Sequence, residues 1–286
     1  MTAILVGRTL AQESDIPWCA EFRDLFSEGH YYSKLGWRRS LDRLFEGHVL
    51  KDASGLVTVS EPWAQILEER HAPPVCVIRN GYDTKDFENL EAPPEQAPGR
   101  LQLFYGGSLY GGLRDPKLLF EALELLGEEA ASIDINFFVG TACQNVVNGI
   151  AERYKFKAKL QALPLIAHKE SLKEQQRSDV LLLIEADLDT TEGVLAAKVF
   201  EYFAARRRIV ILGGRQDSVA SKAVLNKQAG AHPLSAAELA ETLREWGSLK
   251  REGRLGRLPA SVSEGFSREE QVRKLEGFLS ARLGAH

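Results

Sequence analysis

Short runs of apolar, strand-forming residues alternate with longer amphipathic segments along this chain, and that rhythm leaves few folds open. After residue 100 the runs are LQLFYG (101–106), INFFVG (135–140), one at about 158–163, DVLLLI (179–184) and IVILG (209–213). Helices are expected between and beyond them at 115–127, 143–154, 168–177, 195–206, 217–228 and 235–248, with a closing helix at about 267–283. Strands joined by helices of this length build a parallel, doubly wound sheet with its ligand crevice at the carboxyl ends of the strands. Before residue 91 the order is shorter. A helix at 2–13 precedes strands IPWCAEF (16–22), LVTVS (56–60) and VCVIRN (75–80), with helices at about 35–52 and 61–70 between them. EAPPEQAPGR (91–100) has three prolines and no apolar periodicity, and reads as a linker. The expectation is an α/β protein of two Rossmann-like lobes about a cleft. The first lobe (1–90) is incomplete, with three strands, and the second (101–264) is a complete doubly wound parallel sheet.

Composition narrows the class. The 286 residues are 44% hydrophobic and 27% charged, enough for one large or two ordinary domains. No uninterrupted apolar stretch is long enough to span a bilayer. The apolar start is broken by Arg8, Gln12 and Glu13 too soon for a signal peptide. Cys19, Cys76 and Cys143 fit neither a metal spacing nor a disulfide framework, so a reducing cytoplasm is expected. A net charge of −4 gives no reason to expect nucleic acid.

Two stretches carry chemistry. In DTTEGVLAAKVFEYFAARRRIVILGG (189–214), Lys198 and Glu201 lie three positions apart on one helix face, in a helix that is apolar almost all round. A charge there needs a partner, and a helix entry offers backbone N–H groups to an anion. The alternative is an ordinary solvated Lys/Glu pair. The cations Arg206 to Arg208 fall in the last turn and read as capping and surface. In FYGGSLYGGLRDP (104–116), four glycines let the backbone approach a ligand, and Arg114 can grip a diphosphate through two N–H groups. The alternative there is a plain strand–helix turn with a surface arginine.

In the first lobe Arg23 and Asp24 follow a strand, where they either face the cleft or form a strand-end ion pair. His30 and Tyr31 sit in a loop suited to sugar stacking or to local packing. The helix with Trp37, Arg38, Arg39, Leu41, Arg43, Leu44 and Phe45 either docks on its own sheet or touches an anionic membrane.

These segments together resemble the retaining GT-B glycosyltransferases of family 4. VIRNGYDTKDF (77–87) is similar to the passage by which that family leaves its first lobe. IPWCAEFRDLF (16–26) and ASGLVTVSEPWAQIL (53–67) resemble its cleft-facing strand and next β-α unit. YGGSLYGGLRDPKLLFEAL (105–123) resembles its phosphate loop, and GFSREEQVRKLEGFL (265–279) the closing helix that returns to the first lobe, giving that lobe residues 265–284.

The resemblance implies transfer without a metal or a resident cofactor, from a UDP- or GDP-sugar as co-substrate to a glycan, lipid-linked or small-molecule acceptor. Donor residues would be Gly106, Gly107, Ser108, Arg114, Gly140, His168, Gly193, Lys198 and Glu201. Of these, Arg114 and Lys198 would hold the diphosphate and Glu201 the ribose hydroxyls. Glu192, Arg114 and Lys198 would be catalytic, and Arg23, Asp24, His30 and Tyr31 would face the acceptor. Three positions depart from the family. Its glutamate, seven residues, glutamate spacing counts back from Glu201 to Gly193, one place past Glu192. Ser108 stands where an arginine is common. Met1 falls where the family is mid-lobe, so a short first lobe is expected, with a sheet edge that invites a homodimer. A nucleotide binder without catalysis and a nucleotide-sugar epimerase are the rival readings.

Overall fold

The computed structural model describes residues 1–29, 36–88, 90, 99–186, 193 and 195–283. The described residues divide into two compact units. Those of Met1–Gly81, Asp189–Leu195 and Gly265–His286 form one, and those of Tyr82–Leu188 and Ala196–Glu264 the other.

In the first unit, α1 (Thr2–Ser14) leads into β1 (Cys19–Phe22), α2 (Gly36–Leu50), β2 (Gly55–Thr58), α3 (Glu61–Arg70) and β3 (Val75–Val77). The strands pair in parallel in the order β1-β2-β3. Phe22, Leu50, Leu56, Trp63 and Leu67 form its core.

α2 contradicts the simple docking of an apolar face on its own sheet. Val49, Leu50 and the carboxylate of Glu46 are buried. Trp37, Leu41, Leu44 and Phe45 are exposed by 64%, 55%, 72% and 41%, at the spacing of one helix face. The inward side docks through Val49 and Leu50 at its C-terminal end and is held further by polar bonds. Glu46 accepts the Ser27 N–H at 3.1 Å, and Arg43 donates to both oxygens of Glu28, one at 3.0 Å.

The second unit opens with α4 (Thr84–Glu88) and β4 (Leu101–Gly106), followed by α5 (Lys117–Leu126), β5 (Ile133–Phe138), α6 (Thr141–Ala151) and β6 (Lys159–Leu163). Then come α7 (His168–Arg177), β7 (Val180–Ile184), α8 (Lys198–Ala205), β8 (Arg208–Leu212), α9 (Val219–Asn226), β9 (Gly230–Ala231) and α10 (Ala236–Arg251). Its six described strands are parallel in the order β6-β5-β4-β7-β8-β9. The order runs one way from β4 to β6 and the other way from β7 to β9. Strand order therefore reverses between β4 and β7, and at such a reversal the loops leaving the two carboxyl ends diverge and open a crevice.

Strands β7 and β8 are buried on both faces, as a sheet covered by helices on each side requires. α5 presents Leu119, Phe120, Ala122, Leu123 and Leu126 inward, and Phe120 stacks on Phe156 with centroids 5.9 Å apart.

The last element, α11 (Arg268–Leu283), belongs to the first unit. Gln271 accepts the Arg79 N–H at 2.9 Å, and a Cβ on Gly55 would fall 2.6 Å from the Phe278 ring.

Boundaries moved in two places that matter. The helix expected over 195–206 occupies Lys198–Ala205 and ends where Arg206 takes a left-handed C-cap (φ 57°). The strand expected at 135–140 occupies Ile133–Phe138, which frees Gly140 to be the N-cap of α6.

Candidate functional site

At the reversal, β4 runs out through Gly106 into Gly107 and Ser108, while the chain leaving β7 returns to the sheet at Lys198. The Lys198 ammonium donates to the Gly106 carbonyl at 2.8 Å and lies 4.5 Å from the centre of the Tyr105 ring. Gly107 is required beside it. Its φ is 136°, and a Cβ there would sit 2.7 Å from Lys198 Nζ. Burial, then the charge of Arg114, push the Lys198 ammonium down to about 8, with Glu201 pulling the other way. The lysine is thus no solvated surface cation. It is a partly desolvated cation crowded by a second one, an arrangement an anion relieves.

Arg114 lies at the end of the same loop, its guanidinium 4.6 Å over the Tyr110 ring. The Tyr105 hydroxyl donates to the Ser108 carbonyl at 2.8 Å. Burial pushes the Tyr105 phenol up to about 12, opposed by the Arg114 guanidinium. Ser108 keeps its own hydroxyl for the loop, accepting the Tyr110 N–H at 3.1 Å.

Glu201 stands one turn along α8 from Lys198, and both its oxygens are engaged. His168 Nε2 lies 3.1 Å from Oε1, and Gln175 Nε2 donates to Oε2 at 3.1 Å. His168 opens α7 and Gln175 lies on the same helix, so α7 fixes the carboxylate in place. Each oxygen retains a second lone-pair site for a ligand hydroxyl.

The entry of α8 is less open than expected. The N–H groups of Val199 and Phe200 bond the Ala196 and Ala197 carbonyls at 3.0 and 3.2 Å. The charge available at this helix start is therefore the lysine side chain more than free amides.

A third acidic group went unnoticed in the sequence. Glu185 follows β7 directly and accepts the Ser218 hydroxyl at 3.0 Å. Burial raises its carboxyl above the usual range, against the Ser218 hydrogen bond and the Arg114 charge. The turn after β8 wraps around it. Gly213 and Gly214 take φ 72° and 71°, and a Cβ on Gly214 would fall 2.8 Å from the Glu185 carboxylate. Its signal was a carboxylate ending an otherwise apolar strand.

The expected donor residues therefore separate. Gly106, Gly107, Ser108 and Arg114 share the β4 loop with Lys198 against it, and Glu201 and His168 meet each other. Gly140 stands at the carboxyl end of β5, and among the described residues only Leu165 comes near its Cβ position, at 4.0 Å. Gly193 belongs to the other unit, where a Cβ would fall 2.3 Å from Trp63. Arg23 donates to Asn80 at 2.9 Å and pairs with Glu21, so its strand-end partner is Glu21, and Asp24 is exposed. Glu192, His30 and Tyr31 lie outside the described residues.

The arginine triplet buttresses the sheet. Arg206 Nε donates to the Leu258 carbonyl at 2.7 Å, Arg207 Nε to Gln176 at 2.9 Å, and Arg208 to Gly256 at 3.2 Å. Burial pushes Arg207 down to about 10.

Residues 1–81 match the glycosyl transferase 4-like domain family. Among solved structures, the chain is similar to Anabaena HepE in complex with UDP. The TM-score is 0.65 at 14% identity, over 98% of this chain and 76% of that one. OtsA gives 0.66 at 14% identity, over 98% and 70%. TarM gives 0.61 at 10% identity, over 93% of this chain and 50% of that one. HepE has also been solved with UDP-glucose. No curated protein matches the chain by sequence.

Proposed function

We propose that this chain, a family-4-like glycosyltransferase of GT-B fold, moves a sugar from a UDP- or GDP-sugar to an acceptor with retention and without a metal. One observation carries the reading. Two cations, Lys198 and Arg114, converge beside the β4 loop at the point where strand order reverses, and the charge of Arg114 bears on Lys198. A diphosphate placed there would satisfy both, and HepE, with a similar fold, is a UDP complex.

The chemistry follows from that charge. As the bond from the anomeric carbon to the phosphate oxygen breaks, its electron pair moves onto the diphosphate, where Lys198 and Arg114 stabilise it. The acceptor oxygen attacks on the face just vacated and passes its proton to the departing phosphate oxygen. The protein then contributes charge and positioning, with no side chain needed as base. Glu201, steadied by His168 and Gln175, takes the ribose hydroxyls. Glu192, one place before Gly193, is assigned to the donor sugar's hydroxyls.

Calorimetry with UDP, GDP, their monophosphates and their sugars tests the site. One diphosphate is expected to bind at least about tenfold tighter than its monophosphate, the worth of one added charge-assisted contact. No binding by either diphosphate would sink the reading. Donor turnover in the presence of a chelator marks a metal-independent transferase. Tight binding without turnover assigns the chain as a nucleotide binder, and an epimerised donor sugar as an epimerase.

The outward face of α2 supports a second element, contact with an anionic lipid surface. Trp37, Leu41, Leu44 and Phe45 are exposed together, and Arg38 borders them. Among the described residues no helix is long and apolar enough to cross a membrane, so contact here would be peripheral. Co-sedimentation with phosphatidylglycerol vesicles is expected for the wild type and reduced at least about tenfold by Trp37→Ser with Leu44→Ser, since each buried side chain contributes ~1.5–3 kcal/mol. Concentration-dependent self-association in place of vesicle binding would assign the face to a second copy of the chain.

A further inference from the structure

Arg114 occupies an awkward position. It is half-buried on a glycine-rich loop, with a second cation close enough to be shifted by its charge. A long, flexible guanidinium beside a like charge turns towards water unless something retains it. One group does so: the face of Tyr110 lies 4.6 Å beneath it.

Tyr110 reaches that position through an unusual backbone. Its φ is 47°, in the left-handed region that aromatic residues seldom enter, and its side chain is otherwise open to solvent, the residue being 57% exposed. The loop is built to hold it there. Leu109 is fully buried, and its carbonyl takes the N–H groups of both Gly112 and Arg114 at 3.1 Å. Ser108 Oγ accepts the Tyr110 N–H. A strained residue at a loop tip whose ring lies on a functional side chain calls for a role, since strain persists where the surroundings enforce it.

The geometry points to Tyr110 as a positioning residue: its ring holds the Arg114 guanidinium beside Lys198, ready for a diphosphate, in the protein without ligand. The identity of the anion rests on the donor-site reading above. The hold on Arg114 does not. Tyr110 itself touches no reacting atom. It acts by sparing the ligand the entropy of ordering an arginine on arrival.

Two measurements separate the parts. The first is nitrogen-15 NMR of the arginine Nε–Hε groups in the ligand-free protein, with the Arg114 signal assigned through Arg114→Lys. An ordered, exchange-protected signal is expected in the wild type and in Tyr110→Phe, which keeps the ring. It should be lost in Tyr110→Ala and in Tyr110→Gly, the latter relieving the backbone strain while removing the ring. The second is calorimetry with UDP, GDP and the corresponding monophosphates. Diphosphate affinity should fall about fivefold in both ring-less variants and stay within about twofold in Tyr110→Phe, with monophosphate affinity nearly level throughout. A protected Arg114 signal in Tyr110→Ala, or full diphosphate affinity in Tyr110→Gly, overturns the assignment. If the wild type binds neither diphosphate, the donor-site reading fails, and the NMR arm alone decides whether Tyr110 orders Arg114.

Discussion

Replacing Lys198 with alanine is expected to weaken nucleoside-diphosphate binding about a hundredfold, roughly 2.8 kcal/mol, the scale of removing one partner from a desolvated, hydrogen-bonded charge pair. The fold should survive, because the ammonium bonds the carbonyl at the very end of β4 and fills no core. The same residue sets a pH dependence. In the free protein its ammonium titrates at about 8, and a bound anion raises that value, so binding takes up a proton. Affinity should be level below pH 8 and fall as pH rises through it, by up to about tenfold per unit. The free protein has the opposite slope from this group. Between about 8 and the ordinary lysine value of 10.5 the unfolded chain holds a proton that the folded chain has released, so stability rises with pH across that window. Calorimetric titrations at several pH values check both. Equal affinity on the two sides of pH 8, or a Lys198→Ala variant that binds as the wild type does, would return the residue to an ordinary helix surface.

The second large effect lies in the core of the second unit. Phe120→Ala should cost about 3–5 kcal/mol, the range for removing a fully buried aromatic ring. The ring is fully buried and meets Phe156, Phe137 and Tyr154 at centroid distances of 5.9, 6.5 and 6.2 Å. The partners come from β5 and from the stretch between α6 and β6, and the two cannot close over the vacancy together, so the upper half of that range applies. Thermal unfolding should fall by roughly 10 °C, while the folded protein binds nucleotide normally. A drop under about 3 °C would mean that the cluster repacks.

The sequence made some of this structure legible and hid the rest for physical reasons. Strands such as DVLLLI and helices such as 168–177 are long and periodic, and they fold close to where the pattern puts them. β9 is two residues long, too short for any periodicity, and it completes the six-strand order by pairing on the edge of β8. Amphipathic spacing showed that α2 has an apolar face and gave no sign of which way that face points. That depends on the buried bonds of Glu46 and Arg43, whose partners Ser27 and Glu28 come from another segment. At the site, Lys198, Glu201, Arg114 and the glycines stood out by type and spacing. Tyr105, Tyr110, Gln175 and Glu185 did not, since each matters through a neighbour distant in sequence or through an unusual backbone angle. The units follow spatial contact more than linker composition. They divide at Gly81 and Tyr82, and the residues of 91–98 lie outside those described.

The vacancy at Gly107 has an evolutionary side. The space its missing Cβ would take is held by the lysine ammonium, so the two positions form a single steric unit ninety-one residues apart in sequence. A side chain at 107 would displace the ammonium and would also strain a backbone held at φ 136°. Loss of the lysine lifts the first constraint and leaves the second. Among descendants of this chain, glycine at 107 should therefore outlast lysine at 198, and the lysine should be rare wherever the glycine is gone.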